Sequence, residues 1–318
     1  MKPSEKVVSL RNKISSQLDV IINSDRCILV DVPYYSNIGD VLIWQGTLDF
    51  FKEKGLKCLN TSSFETFSYP HLSSDTIIFF NGGGNLGDLY TEHINLLKSI
   101  VKRYPKNRII ILPQTVYYES SKNQLLDFQQ LQKHPDLYFC ARDQFVYDML
   151  TNYFGEKALL VPDMAYYISG DVIEKYRKET FKDKLIIKRN DCEIGASPSS
   201  DGDIRDWPTF EAKIVKSAYF NYHIGNFYKH SPKFLKKLSG KMWDIYTCYI
   251  FRPSLVRMGI EFISEYKTIE TTRLHGCILS TILCKEILLL DNSYGKNKHF
   301  YETWLFDVDK IVLKGDFT

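Results

Sequence analysis

Cys27-Ile28-Leu29-Val30-Asp31-Val32 is a short apolar run that breaks into a polar loop, Pro33-Tyr34-Tyr35-Ser36-Asn37-Ile38-Gly39-Asp40. After the loop, Val41, Trp44, Leu48 and Phe51 recur at three- and four-residue steps, the spacing of one apolar helix face. Gly55 is placed to end that helix. The whole stretch reads as strand, loop, helix, preceded by an opening helix over 4–22 with Val7, Leu10, Ile14, Leu18 and Ile21 on one side.

The unit repeats outward from there. A strand over 76–80 runs into Asn81-Gly82-Gly83-Gly84-Asn85-Leu86-Gly87-Asp88, and another over 108–112 runs into Pro113-Gln114-Thr115. Strands at 138–141 and 159–161 lead into Arg142-Asp143 and Pro162-Asp163. Strands alternating with helical segments predict a parallel, doubly wound sheet, whose ligands bind beyond the carboxyl ends of the strands. Each of these polar clusters falls there. A composition shift near 170–184 predicts a boundary, with strands at 184–188 and 286–290 beyond it. The expected architecture is α/β and GT-B-like: a Rossmann-like domain over 1–175 facing a second one over 176–318 across a cleft. At 318 residues the chain has room for both.

Thr271-Thr272-Arg273-Leu274-His275-Gly276 opens the apolar run Cys277-Ile278-Leu279-Ser280-Thr281-Ile282-Leu283. A helix N-terminus holds free N–H groups and a positive dipole end, an arginine adds a donor fork, and an imidazole moves protons near neutral pH. Together they read as an anion site with acid–base capacity. A second reading stays open, in which Arg273 pairs with a carboxylate and His275 caps the helix. The glycines of 81–88 let backbone approach a ligand closely, but the loop is neither a dinucleotide fingerprint nor a phosphate loop with its lysine. Asp88 at its end is a candidate base. Asp40 is a second, with helix capping favoured over catalysis. Arg189 closes the first strand of the second half, where it either faces the cleft or pairs with Asp191 or Glu193. At Arg142-Asp143 a local pair that positions its loop stays open as the plainer reading.

Composition narrows the classes. A formal charge of +3 gives no global case for nucleic acid. Seven cysteines without a C-x-x-C pair support neither zinc nor a redox motif, and several sit in apolar runs, so a reduced, cytoplasmic setting is expected. No metal-ligand cluster and no cofactor requirement is visible. The opening residues lack a secretory signal, and no run of about eighteen apolar residues exists to span a membrane. Between 210 and 266, lysines and arginines interleave with tyrosine, phenylalanine and tryptophan. That mixture suits a membrane interface or a helical excursion whose aromatics fill the second core, with stacking on single-stranded nucleic acid ranked below both.

Six segments in order carry a resemblance: Asn37-Ile38-Gly39-Asp40, Gly82-Gly83-Gly84-Asn85-Leu86-Gly87-Asp88, Leu112-Pro113-Gln114, Ala141-Arg142-Asp143, Val161-Pro162-Asp163 and Thr272-Arg273-Leu274-His275-Gly276. The chain resembles the polysaccharide pyruvyltransferase family. Leu290-Asp291-Asn292-Ser293-Tyr294-Gly295-Lys296 and Phe300-Tyr301-Glu302-Thr303-Trp304 resemble its bacterial capsule and exopolysaccharide branch. The resemblance implies a GT-B-like fold and transfer of pyruvate from phosphoenolpyruvate onto two hydroxyls of a sugar, giving a cyclic ketal. It implies that Arg273 and His275 bind the donor and serve catalysis, with Arg189 the best match for a further donor-binding arginine.

The expected catalytic residues are therefore His275, Asp88 and Asp40. The expected substrate contacts are Arg273, Arg189, Leu274, Gly276, Gly83, Gly84, Asn85 and Asn37. No metal is expected. The acceptor in such pathways is often a sugar linked to undecaprenyl diphosphate, which gives the basic aromatic stretch a purpose at the inner membrane face. A glycosyltransferase using a nucleotide sugar is the rival reading, and a sugar-binding protein with a decayed site is the non-enzymatic one.

Overall fold

The structure, a computed structural model, describes residues 1–188, 199–211, 215–291 and 295–314. The first half runs α1 (Pro3–Asp19), β1 (Arg26–Val30), α2 (Ile38–Glu53), β2 (Lys57–Ser62), β3 (Ile77–Phe80), β4 (Gly83–Gly87), α3 (Thr91–Arg103) and β5 (Ile109–Tyr117). It continues through α4 (Ser121–Leu131), β6 (Leu137–Ala141), α5 (Gln144–Phe154), β7 (Ala158–Leu160), a 3₁₀ turn (Met164–Tyr167) and α6 (Gly170–Tyr176). The second half begins with β8 (Lys182–Ile187), β9 (Asp203–Arg205), α7 (Pro208–Glu211), α8 (Lys216–His230) and α9 (Lys233–Tyr246). After a π-helical turn (Thr247–Phe251) come α10 (Arg252–Ser264), β10 (Tyr266–Thr271), α11 (Leu274–Ile282), β11 (Glu286–Leu290), α12 (Lys296–Phe300) and β12 (Ile311–Lys314).

The strands form two sheets, ordered β2-β1-β3-β5-β6-β7 with β4 beside β5, and β12-β11-β10-β8-β9. Among the described residues every strand pairing is parallel. The architecture is thus α/β with two Rossmann-like sheets, and the chain changes sheet between β7 and β8. Successive residues of β1 face opposite sides, as the pleat requires. Cys27 and Leu29 join one core, while Ile28 and Val30 join another.

The first of these cores belongs to both halves. It runs from Leu29 and Phe79 through Trp44 of α2 and Tyr166 of the 3₁₀ turn to Leu185 and Ile269 of the second sheet. A shared apolar core of this kind holds two domains in a fixed relation, where a thin polar interface would let them swing. The chain ends add cross-ties. The Met1 ammonium reaches Asp309 at 2.9 Å and Lys6 reaches Asp307 at 2.7 Å. Trp304 Nε1 donates to the Arg142 carbonyl at 2.7 Å.

Two expectations change. The stretch 81–88 is not a free loop, because Gly83–Gly87 forms β4 along β5. Gly87, at φ 145°, lies so close to Tyr117 that an added Cβ would fall 1.7 Å from the Tyr117 carbonyl oxygen, so glycine is what allows this pairing. The aromatics of 210–266 also divide: Trp243, Phe251 and Phe262 are buried, while Tyr222, Phe227, Phe234 and Tyr249 face out.

Candidate active site

A cavity of about 450 Å³ opens where the carboxyl ends of the two sheets meet. Its walls come from both halves: Asn37 and Asp40 of the β1–α2 connection, Gly84 and Asn85 of β4, His93 of α3 and Arg142 after β6, facing Trp207, Phe210, Arg273, Leu274, His275 and Lys296.

His275 lies in the first turn of α11, directly after β10. An added Cβ at Gly39 would sit 2.5 Å from its Nδ1, so the glycine of Asn37-Ile38-Gly39-Asp40 lets α2 of one half meet the imidazole of the other. On its far side His275 Nε2 lies 3.4 Å from Asp163 Oδ2. That is ion-pair distance without hydrogen-bond alignment, and this buried nitrogen has no aligned partner among the described residues. The same Asp163 oxygen accepts from Arg142 Nη1 at 3.0 Å. Burial alone would raise the Asp163 carboxyl. The nearby His275 ring, then the charge of Arg142, outweigh that and hold it down at about 2.

Arg142 is buried and donates from Nε to Thr115 Oγ1 at 2.8 Å. Its carboxylate partner is Asp163, so the local Arg142–Asp143 reading gives way. Asp143 caps α5 by accepting from the Val146 N–H at 2.9 Å. An added Cβ at Gly84 would lie 3.2 Å from Arg142 Nη2 and 4.0 Å from Lys296 Nζ. Two cationic heads therefore flank one bare piece of backbone.

Arg273 fulfils the pairing reading as well as lining the cavity. Its Nε and Nη2 donate to Asp206 at 2.5 and 2.6 Å, and its guanidinium lies 4.9 Å from the Phe210 ring centroid. A bidentate carboxylate cancels much of the charge it would otherwise offer. His275 does not cap the helix: the N-cap residue is Arg273, and the Arg273 N–H donates to Thr271 Oγ1 at 3.0 Å. Leu274 lines the cavity, whereas Gly276 is packed behind it against Thr271 and Ile187.

The opposite wall belongs to the first half. Asn37 caps α2 by accepting from the Gly39 N–H at 3.0 Å, which leaves Asp40 free of the capping role. Asp40 instead accepts from Tyr35 Oη at 3.0 Å, and Asn85 Nδ2 donates to the same phenol at 2.6 Å. Burial, then the charges of Asp40 and Asp31, push the Tyr35 phenol well up, so it stays a donor. Beside them His93 Nδ1 lies 2.8 Å from Asp31 Oδ2. Burial works against a charged His93, but the hydrogen bond and charge of Asp31 win and raise it. Asp31 has φ 66°, a left-handed backbone that ends β1 at this carboxylate.

Asp88 is absent from the cavity. Its carboxylate accepts from the Glu119 and Ser120 N–H groups at 2.9 and 3.0 Å, in the turn that starts α4. Slight burial raises it, but those backbone donors prevail and hold it below the usual carboxylate range. It is the foundation of a turn rather than a base facing ligand. Gly83 likewise serves β4–β5 pairing opposite Gln114 and does not line the cavity. Arg189 lies outside the described residues. Reasoning from sequence missed Tyr35, His93 with Asp31, and Asp206. It passed over Asp163 and Lys296, although both stood in the quoted motifs.

Comparison with known proteins bears on this geometry. The family model described as polysaccharide pyruvyl transferase matches residues 37–294. The chain is 33% identical to the putative pyruvyl transferase EpsO of Bacillus subtilis over 98% of this chain and 96% of that protein. It is 26% identical to pyruvyl transferase 1 of Schizosaccharomyces pombe, over 87% of this chain and 69% of that one. A crystal structure of a functionally uncharacterised protein from Klebsiella pneumoniae shares the fold at a TM-score of 0.64 and 23% identity, covering 96% of this chain and 98% of the other. The chain belongs to the polysaccharide pyruvyl transferase family.

Proposed function

We propose that this protein transfers pyruvate from phosphoenolpyruvate onto two hydroxyls of a sugar, forming a cyclic ketal during surface-polysaccharide synthesis on a GT-B-like scaffold. The observation that carries the reading is the cationic end of the cleft, where Arg142 and Lys296 flank the backbone of Gly84 and His275 lines the same cavity. Phosphoenolpyruvate bears a phosphate and a carboxylate, and cations beside the first turn of α11 suit both. Arg273, paired with Asp206 as Arg142 is with Asp163, adds its guanidinium to the same anion site.

The reaction needs a proton at C3 of the donor as the first sugar oxygen bonds to C2. His275 delivers it, with the Asp163 carboxylate 3.4 Å from its Nε2. The hydroxyl proton passes to Asp40, which replaces Asp88 as the base because it faces the cleft. The second hydroxyl then bonds to C2 and passes its proton to His275, restoring the one given to C3, while phosphate leaves with the electrons of the C2–O bond. Tyr35, Asn85 and the Asp31–His93 pair form the wall against which the acceptor lies. The acceptor is a sugar linked to undecaprenyl diphosphate at the cytoplasmic face of the membrane.

Incubation with phosphoenolpyruvate and lipid-linked oligosaccharides tests the proposal. Phosphate release matched by a pyruvyl mass gain on the sugar is expected. Turnover of a nucleotide sugar with no response to phosphoenolpyruvate would replace this reading with the glycosyltransferase one.

A further inference from the structure

Helices at a protein surface usually turn their apolar stripe inward. Helix α9 does the reverse. Phe234, Leu238, Met242 and Ile245 are 82, 67, 43 and 50% exposed. At roughly 100° per residue these four fall within an arc of about 80°. Its inward face is made of Ser239, Gly240 and Trp243. The close fit there depends on Gly225 of α8, where an added Cβ would lie 2.7 Å from the Trp243 ring. The packing is therefore specific, and the outward apolar stripe is not a helix loosely laid on. Tyr249, 73% exposed, prolongs the stripe beyond α9. A contiguous patch of this size on a folded surface marks an interaction site.

Charge identifies the occupant. Residues 216–250 hold six lysines and a single carboxylate, Asp244. Asp244 is turned inward, accepting from Tyr34 Oη at 2.7 Å. Lys237 and Lys241 lie along one edge of the stripe and are exposed. A second copy of the chain laid on this face would bring lysine against lysine. An anionic bilayer meets both features, with hydrocarbon for the rings and acidic headgroups for the ammonium groups. We propose that the α8–α9 hairpin is a membrane-docking element that lies in the plane of an anionic phospholipid surface. Lying in the plane is the mode open to it, since among the described residues no helix is long and apolar enough to cross a membrane.

A second cavity gives the docking a purpose. It measures about 360 Å³, runs beside α8 and α9 at Asn221, Gly225 and Trp243, and shares Tyr35, Ser36 and Phe64 with the main cleft. A lipid-linked acceptor with its sugar in the cleft has a path toward the hairpin and the bilayer. This part rests on the proposed acceptor class; the docking itself does not.

The test is sedimentation of the full chain with vesicles of phosphatidylcholine alone and of phosphatidylcholine with phosphatidylglycerol. Binding is expected to the anionic vesicles, weakened by salt, and lowered about tenfold or more in a Phe234→Ser/Leu238→Ser variant. Both side chains are exposed, so an unchanged thermal melt will confirm that the variant folds. Pyruvyl transfer to a soluble, lipid-free acceptor reports on the chemistry alone, and the same variant should leave it at the wild-type rate. Failure of the wild type to sediment with anionic vesicles would overturn the docking proposal, as would undiminished sedimentation of the variant. So would a dimer in gel filtration that the two substitutions abolish while vesicles go unbound, which would assign the face to a second copy.

Discussion

Two groups of residues at the cleft are built differently. At the cationic end Arg142 and Asp163 come from the first half and His275 from the second, and one carboxylate oxygen faces both partners. The opposite wall, with Tyr35, Asp40, Asn85, His93 and Asp31, comes from the first half alone. The first arrangement exists only when the two halves are docked, and the core they share keeps them so. The second would survive small shifts between them. The proposed donor site thus sits where placement is fixed by two domains, and the proposed acceptor wall where one domain can vary its side chains alone.

Substitutions at the cationic end should have the largest effects. His275→Ala removes the proposed proton donor and is expected to cut phosphate release by a factor on the order of 10²–10⁴, measured in a steady-state assay with phosphoenolpyruvate and acceptor. Retention of the full rate would remove the centre of the mechanism.

Asp163→Asn comes next, because it strips the counter-charge from both Arg142 and His275. A fall in kcat is expected, together with about 2 kcal/mol of lost stability at neutral pH. The sign follows from the carboxyl being held at about 2 against an ordinary 3.8. Its contribution is present above the unfolded value and disappears as pH falls from about 4 toward 2, so denaturant melts of wild type and variant should converge there. A constant gap across that window would show that the Asp163 charge is not what stabilises the fold.

On the acceptor wall, Asp40→Asn should lower kcat while leaving the KM for phosphoenolpyruvate near the wild-type value, which separates the two ends kinetically. A raised donor KM instead would place Asp40 in donor binding. The smallest effect on activity is expected for Asp88→Asn. It weakens the turn before α4 by about 1 kcal/mol, seen as a lower Tm, with transfer unaffected.

Much of the scaffold was legible in the sequence because apolar strands and their polar ends follow one another regularly. The strands around Leu29, Phe79 and Leu289 fall where that rhythm places them. The short, half-exposed β9 and β12 carry too little pattern to be read, and β4 hides inside a glycine cluster. The site was legible as a set of strand ends but not as a set of partners. Asp88 and Asp163 both follow strands, and nothing in the residues around them says which faces the cleft. Only the three-dimensional course of the chain puts Asp163 between Arg142 and His275 and ties Asp88 to the Glu119 and Ser120 amides. His93 was out of reach for the same reason, since its partner Asp31 is 62 positions away.

The central claim is that Arg142 of one half and His275 of the other act on a single bound donor. Phosphate release from phosphoenolpyruvate by Arg142→Ala, His275→Ala and the double variant tests it most directly. Groups that act as a unit give non-additive losses, so the double variant should be little worse than the more damaged single one. Losses that multiply would mean the two residues work independently, and would contradict a donor site joined across the halves.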